Sequence, residues 1–468
     1  MKHSQEHSLS SASSTAEEGD ASHLGHGLKV RHLTMMGLGS AIGAGLFLGT
    51  GVGIAKAGPA VLVSYVIAGI IVIAVMRMLG EMGAAIPASG SFSHYARIGI
   101  GEWAGFTLGW LYWFMLIMVL GAEITGASAI VHGWLPGIPQ WVVALVFVTF
   151  FAVVNLSKVR NFGEFEFWFA AMKVTVIIAF LVIGVLLVFG LLPDTDPVGT
   201  TNLIGEDGFM PNGVAGIAAG LLVVAFAFGG IEIVTIAAAE SKDPERSIAS
   251  AVRSVVWRIS VFYLGSIAIM VLVLPWNSEQ LQSGPFVAVL NEASIPYVSG
   301  FMELVVVVAL LSAFNANVYG TSRMAFALSR DGDGPSALGK LSPTGVPTNA
   351  VLVSVFFGFV SVLLNWLLPD SLLEILLNAV GAALLVVWIF IVVAQLRLRR
   401  RLEAEGRLTV KMWGFPYLSW LTLAALGGLI LLMLTDTDAR KQLISTAILT
   451  LFIAGLSVLN ARRRKAAV

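Results

Sequence analysis

Gly37-Leu38-Gly39-Ser40-Ala41-Ile42-Gly43-Ala44-Gly45-Leu46-Phe47-Leu48-Gly49 is apolar enough to enter a bilayer, yet it holds five glycines in thirteen residues. Glycine weakens a helix interior more than any residue but proline, and an unsatisfied backbone is most costly in hydrocarbon. The stretch therefore predicts a membrane helix that breaks. A second such stretch, Ala225-Phe226-Ala227-Phe228-Gly229-Gly230-Ile231-Glu232, lies near the middle of the chain. Paired breaks of this kind point to a transport site at the bilayer midplane, where half-helix N-termini face an anionic group and freed carbonyls face a cation. A zwitterion carries both charges. The alternative is that the glycines serve only close helix packing.

The rest of the chain supplies the membrane. Of 468 residues 57% are hydrophobic and only 12% charged, with a mean hydropathy of +0.87, too little charge for a water-facing surface. Apolar stretches of about 20 residues, the length that crosses a bilayer, recur from Leu33 to Leu459. About twelve are expected, near 33–55, 59–80, 103–131, 138–157, 166–192, 212–238, 255–275, 300–328, 349–368, 371–396, 415–434 and 442–460. A β-barrel would alternate apolar with polar residues, whereas Val305 to Leu311 is continuously apolar.

Basic residues set the orientation, because they are retained on the cytoplasmic side. With the N-terminus inside, about 24 Lys and Arg fall in cytoplasmic segments and only Lys56, Arg440 and Lys441 fall outside. Lys173 is left within a span. Both termini are expected in the cytoplasm of a multi-pass inner-membrane protein, which requires an even helix count. The basic tail has topology retention as its bland explanation and lipid-headgroup recognition as the other. Met1 to Gly27, rich in Ser, His and acids with no apolar core, predicts a disordered cytoplasmic tail rather than a signal peptide.

Several chemistries are excluded or unsupported. With no cysteine there is no disulfide, thiolate metal site or cysteine nucleophile. Gly37 to Gly58 contains neither G-x-G-x-x-G nor Walker A spacing, and no H-E-x-x-H or G-x-S-x-G occurs. No enzyme, cofactor, metal or nucleic-acid partner is expected; the partners expected are a small substrate, a proton and membrane lipid. Oligomeric state is left open. A channel would need a continuous polar pore, and only isolated charges are present.

Four ionisable residues lie within spans, where such groups usually face a cavity or a partner: Glu123, Lys173, Glu232 and Glu303. A desolvated amine exchanges protons more readily, which suits Lys173 to proton coupling; a permanent ion pair or a snorkelling side chain is the alternative. Glu123 reads as a proton carrier or a tie between helices, Glu232 as a gate or relay beyond the second break, and Glu303 as a solvated helix end.

The chain resembles the bacterial amino-acid transporter branch of the amino acid–polyamine–organocation superfamily, from about Leu28 to Asn460. The motifs that carry the likeness are Gly39-Ser-Ala-Ile-Gly-Ala-Gly-Leu-Phe47, Gly80-Glu-Met82, Pro87-Ala-Ser-Gly-Ser-Phe92, Gly163-Glu-Phe-Glu-Phe-Trp168 and Phe228 to Glu240 followed by Asp243-Pro244. The resemblance implies an all-α polytopic membrane protein with a LeuT-like 5+5 inverted repeat plus two helices, 12 transmembrane helices in all. Residues 28–396 would form the transporter core (helices 1–10), 397–460 helices 11–12 with a preceding basic loop, and 461–468 a basic cytoplasmic tail.

It also implies residue roles. An amino-acid carboxylate would lie against the amides of Ile42, Gly43, Ala44 and Gly45, and its ammonium would face carbonyls near Phe226, Ala227 and Gly229. Lys173 would stand where sodium-coupled members bind a cation, which favours proton symport, with Glu123 as a companion; Phe228, Glu232, Ser312, Phe314 and Asn315 would approach the same region. The likeness is greatest to aromatic amino-acid permeases, helped by Met35-Met36-Gly37, Trp110-Leu-Tyr-Trp-Phe114 and Pro211-Asn-Gly213. Glu232 to Ser241 also looks like γ-aminobutyrate permeases. Phe226, Phe228 and Phe314 would stack on an aromatic substrate, or serve as packing. Other neutral amino acids, an exchanger, or a sensor that binds without transporting stand behind these.

Overall fold

A computed structural model describes residues 42–86, 92–156, 162–205, 208–230, 243–342 and 345–466. The described residues contain no strand. In chain order the helices are α1 (Ala44–Phe47), α2 (Gly49–Ala57), α3 (Val61–Ala85), α4 (Phe92–Gly99), α5 (Glu102–Trp134), α6 (Gln140–Leu156), α7 (Phe162–Val188), α8 (Thr201–Ile204) and α9 (Gly213–Ala227). After these come α10 (Pro244–Trp257), a π-helical stretch (Arg258–Gly265), α11 (Ser266–Val273), α12 (Glu279–Ser283), α13 (Pro285–Glu292), α14 (Val298–Arg330), α15 (Thr348–Leu367), α16 (Leu372–Ala404), α17 (Tyr417–Met433) and α18 (Thr437–Ala466).

Eight helices or helical runs among the described residues are long and apolar enough to cross a membrane; α6, α9 and α17 are shorter apolar helices. The outer faces of the bundle carry large bare apolar side chains such as Trp168 (65% exposed), Leu451 (72%) and Phe452 (62%). A surface of this kind aggregates in water and is at rest in lipid. The long α5 runs through the centre, packed against α14, α16, α6 and α15. The first apolar segment turns into the second at Gly58, whose φ of +63° admits glycine readily and whose missing Cβ leaves room for Pro211.

Two boundaries differ from the expected ones. The tenth apolar stretch does not end at 396: α16 continues to Ala404, because Leu398, Arg399 and Leu402 are buried on its inner side. Helix α18 likewise continues to Ala466, into the expected basic tail. The N-terminal tail 1–27 lies outside the described residues.

The continuation of α16 is held by a buried polar knot. Glu81 of α3, fully buried, pairs with Arg399 and accepts hydrogen bonds from Gln395 Nε2 (2.7 Å) and the Met412 amide. Gln395 in turn accepts from Ser419 Oγ at 2.9 Å, and Arg399 lies 5.1 Å from the Phe415 ring. Removing one partner of a buried ion pair strands the other, at about 3–5 kcal/mol. Glu81→Ala is accordingly expected to lower the apparent melting temperature of the detergent-solubilised protein sharply, read by size-exclusion after heating. Unchanged thermal survival would show that the knot contributes little.

Candidate functional site

The first glycine-rich stretch, described from Ile42 onward, holds a helix start. Ile42 and Gly43 are non-helical, α1 starts at Ala44, and after one turn Leu48 separates it from α2. Leu46 and Phe47 amides close onto the Gly43 carbonyl at 3.1 Å, which leaves the Ala44 amide at the open start of the turn. A helix start presents partial positive charge and unsatisfied N–H groups. The second stretch holds a helix end: α9 stops at Ala227, and the chain turns through Phe228 and Gly229, with Gly230 at φ +92°.

The two breaks touch. A Cβ on Gly45 would lie 2.6 Å from Phe226 Cδ1 and 2.9 Å from Ala227 Cα, so only glycine allows this approach. Across from them, α5 delivers Glu123, 3% exposed. Both its carboxylate oxygens accept from the Ala44 amide, at 3.1 and 3.0 Å. A Cβ on Gly43 would overlap the Glu123 carboxylate, 3.0 Å from its Cδ. Lys173, on α7 and 1% exposed, acts electrostatically on the same carboxylate.

The structure thus assembles Ile42, Gly43, Ala44, Gly45, Glu123, Phe226 and Ala227 in one buried place, with Lys173 within electrostatic reach. The amide expected to receive a substrate carboxylate holds a carboxylate of the protein itself. Gly229 lies beside the Phe226 carbonyl and Leu384. Phe228 stacks in a triad with Tyr65 and Tyr263, at centroid distances of 6.0 and 5.7 Å.

Phe314 is placed elsewhere, in a second apolar cluster with Leu120, Ile124, Val148 and Val318, its ring 5.6 Å from Phe151. Asn315 accepts from Asn155 Nδ2 of α6 at 2.8 Å, and Ser312 is buried on α14. Glu232 lies outside the described residues. Glu303 is half-buried in the second turn of α14 and accepts from Trp134 Nε1 at 2.6 Å.

Tyr263 was not foreseen. Its hydroxyl donates to the Ala227 carbonyl at 2.9 Å, so one of the carbonyls freed by the second break already carries a partner. The residue sits in the π-helical stretch, whose extra residue per turn re-aims side chains in a way that Ser260-Val-Phe-Tyr-Leu264 does not announce.

A helix start and a helix end in contact, a buried carboxylate on that start and a buried lysine acting on it all lie within an apolar bundle whose long helices are of membrane-crossing length. The chain belongs to the amino acid permease family, whose model matches residues 32–464. It is 60% identical over 439 residues to an aromatic amino acid transport protein, AroP, of Corynebacterium glutamicum, covering 93% of this chain and 95% of that one. It is 44% identical over 440 residues to a gamma-aminobutyric acid permease of Bacillus subtilis, covering 94% of each. The aromatic amino acid transport protein AroP of Escherichia coli K12 is 39% identical over 413 residues, 88% of this chain and 90% of that one.

Proposed function

We propose that this permease is a proton symporter that brings phenylalanine, tyrosine and tryptophan across the cytoplasmic membrane. The observation that carries the substrate class is the 60% identity, over nearly the whole of both chains, to a protein named for aromatic amino acid transport. In this reading the protein has twelve transmembrane helices in a LeuT-like 5+5 inverted repeat plus two, with both termini cytoplasmic. Support comes from helices of the described structure within each expected apolar stretch, and from the steep asymmetry of Lys and Arg.

The Ala44–Glu123 contact suggests how a proton and a substrate are coupled. The substrate carboxylate takes the amides at the start of α1, and its ammonium faces carbonyls at the end of α9. Two carboxylates cannot share one helix start while both are charged. A proton arriving on Glu123, through or beside Lys173, removes the repulsion and turns an acceptor into a hydrogen-bond donor. Substrate and proton then load together, the helices bearing the breaks rock against the rest, and both are released inside. Because the zwitterion is neutral, each cycle carries one positive charge inward, worth about 2.3 kcal/mol per 100 mV of membrane potential.

The test is uptake of radiolabelled phenylalanine into proteoliposomes with an imposed inward proton gradient, competed by tryptophan, tyrosine, γ-aminobutyrate and proline. Gradient-dependent uptake blocked by the aromatic amino acids is the expected result. Protein that takes up γ-aminobutyrate but not phenylalanine would replace this reading by the second one, which the 44% identity to a gamma-aminobutyric acid permease favours.

A further inference from the structure

A cavity of about 540 Å³ lies one helical turn from the Ala44–Glu123 contact, reached by Phe47 and Leu48 at the end of α1. Its floor is Phe47, the last residue of α1, whose amide bonds back to Gly43 at 3.1 Å. The Phe47 ring meets Phe286 of α13 edge-on at 5.2 Å, and Phe286 meets Phe180 of α7 at 4.5 Å. These rings form an aromatic layer along one side of the cavity. The walls come from the last turns of α5, from α12 and α13, and from the first turns of α14; in the orientation proposed above, that end faces outward.

The lining is selective in its charge. It is mostly apolar, with the amides of Gln280 and Asn291 and the hydroxyl of Ser283 at intervals, and Glu303 is the only charged lining side chain among the described residues. Glu303 is held by one hydrogen bond, from the Trp134 indole to Oε2, and forms no ion pair among the described residues. Lys56 does not line the cavity and is engaged 2.8 Å from Glu374 and 3.8 Å from Asp438. A carboxylate with acceptor capacity left over, set in an apolar wall with no basic neighbour in the lining, favours a cation with an apolar body and disfavours an anion. The volume falls within the range of small-molecule sites and holds one amino acid with a ring.

We infer that this cavity is an outer docking site for a primary ammonium on an aromatic body, with Glu303 as its anchor, Trp134 fixing the carboxylate, and Phe47 and Phe286 as the floor on which the ring rests. For the permease this is the amine end of its own substrate, held above the aromatic layer before descent; that assignment rests on the proposed aromatic substrate, while the cavity's preference for an aromatic ammonium does not. The site differs from the inner one in chemistry: it has no amide nest for a carboxylate.

β-Phenylethylamine, which keeps the ring and ammonium of phenylalanine but lacks its carboxylate, separates the two sites. The experiment measures binding of radiolabelled β-phenylethylamine to the purified full-length protein, beside binding of phenylalanine. The wild type is expected to bind the amine. Glu303→Gln is expected to weaken that binding roughly tenfold, the scale of one charge-assisted contact. Gly133→Trp serves as a second variant: Gly133 lines the cavity and a Cβ there meets nothing within 4 Å, so an indole fills the space without a clash in the helix. It too is expected to weaken binding of the amine. Gly427→Val on α17, where a Cβ meets nothing within 4 Å, is expected to leave it intact. Amine binding that is equal in wild type, Glu303→Gln and Gly133→Trp, or that is absent in protein able to bind phenylalanine, would overturn the inference. Glu303-dependent amine binding by protein that does not bind phenylalanine would uphold the cavity and defeat the proposed substrate instead.

Discussion

Gly43→Val is expected to bring uptake to background while the protein still reaches the membrane. Any Cβ at this position overlaps Glu123 Oε1 and stands 3.0 Å from Cδ. The atoms in the way are the end of a side chain, so the chain folds by pushing the carboxylate off the Ala44 amide rather than by moving a helix. The cost combines overpacking, about 1–3 kcal/mol, with a buried carboxylate deprived of its partner, about 1–3 kcal/mol more. With each ~1.4 kcal/mol worth a factor of ten, a loss of 100-fold or greater is on the order expected. Gly229→Val is a milder version, because its Cβ would approach the Phe226 carbonyl at 3.3 Å and Leu384 at 3.4 Å. Gly427→Val on α17 is the control, since a Cβ there meets nothing within 4 Å. Initial rates of phenylalanine uptake, normalised to protein in the membrane, decide the matter. Normal rates in Gly43→Val would remove the first break from the site.

Glu123→Gln is expected to separate transport from the proton. The amide keeps the shape of the carboxylate and still has an oxygen to accept from Ala44, but it neither repels a substrate carboxylate nor carries a proton. Exchange of internal for external phenylalanine is therefore expected to persist. Accumulation is not: at 100 mV one proton per substrate supports a gradient of roughly 50-fold, and without it a neutral zwitterion settles near equality. Lys173→Ala is expected to share the loss of accumulation, because Glu123 then faces the α1 start without the lysine's charge nearby. The comparison needs paired proteoliposome assays, gradient-driven and counterflow. A proton-driven gradient of wild-type size in Glu123→Gln would sink the coupling role of the Ala44–Glu123 contact.

Much of the architecture was legible in one dimension. A bilayer demands about 20 apolar residues per crossing, so spans announce themselves in hydropathy alone, and glycines at membrane depth announce breaks. Gly43 falls just before the start of α1, and Gly229 and Gly230 fall just past the end of α9. The end of α16 was not legible, since basic residues from Arg397 onward read as a loop; what extends the helix is Glu81, more than 300 residues away, which turns Arg399 from a surface charge into a buried partner.

The site divides along the same line. Local chemistry, read from residue types and their order, was enough for the membrane class, the ionisable residues held in the spans and the amino acid permease family. Tertiary packing alone put Glu123 on the Ala44 amide, 79 positions distant, and placed Phe314 against Phe151. It also swung Tyr263 onto the Ala227 carbonyl and set Glu303 beside Trp134, 169 positions away, at the rim of a cavity. The physical reason is the solvent. In water, an apolar stripe marks the inward face of a helix; in a bilayer, lipid and protein interior are equally apolar, and α5, α7 and α9 carry apolar residues all round. Which way such a helix faces is decided by the neighbours it packs against.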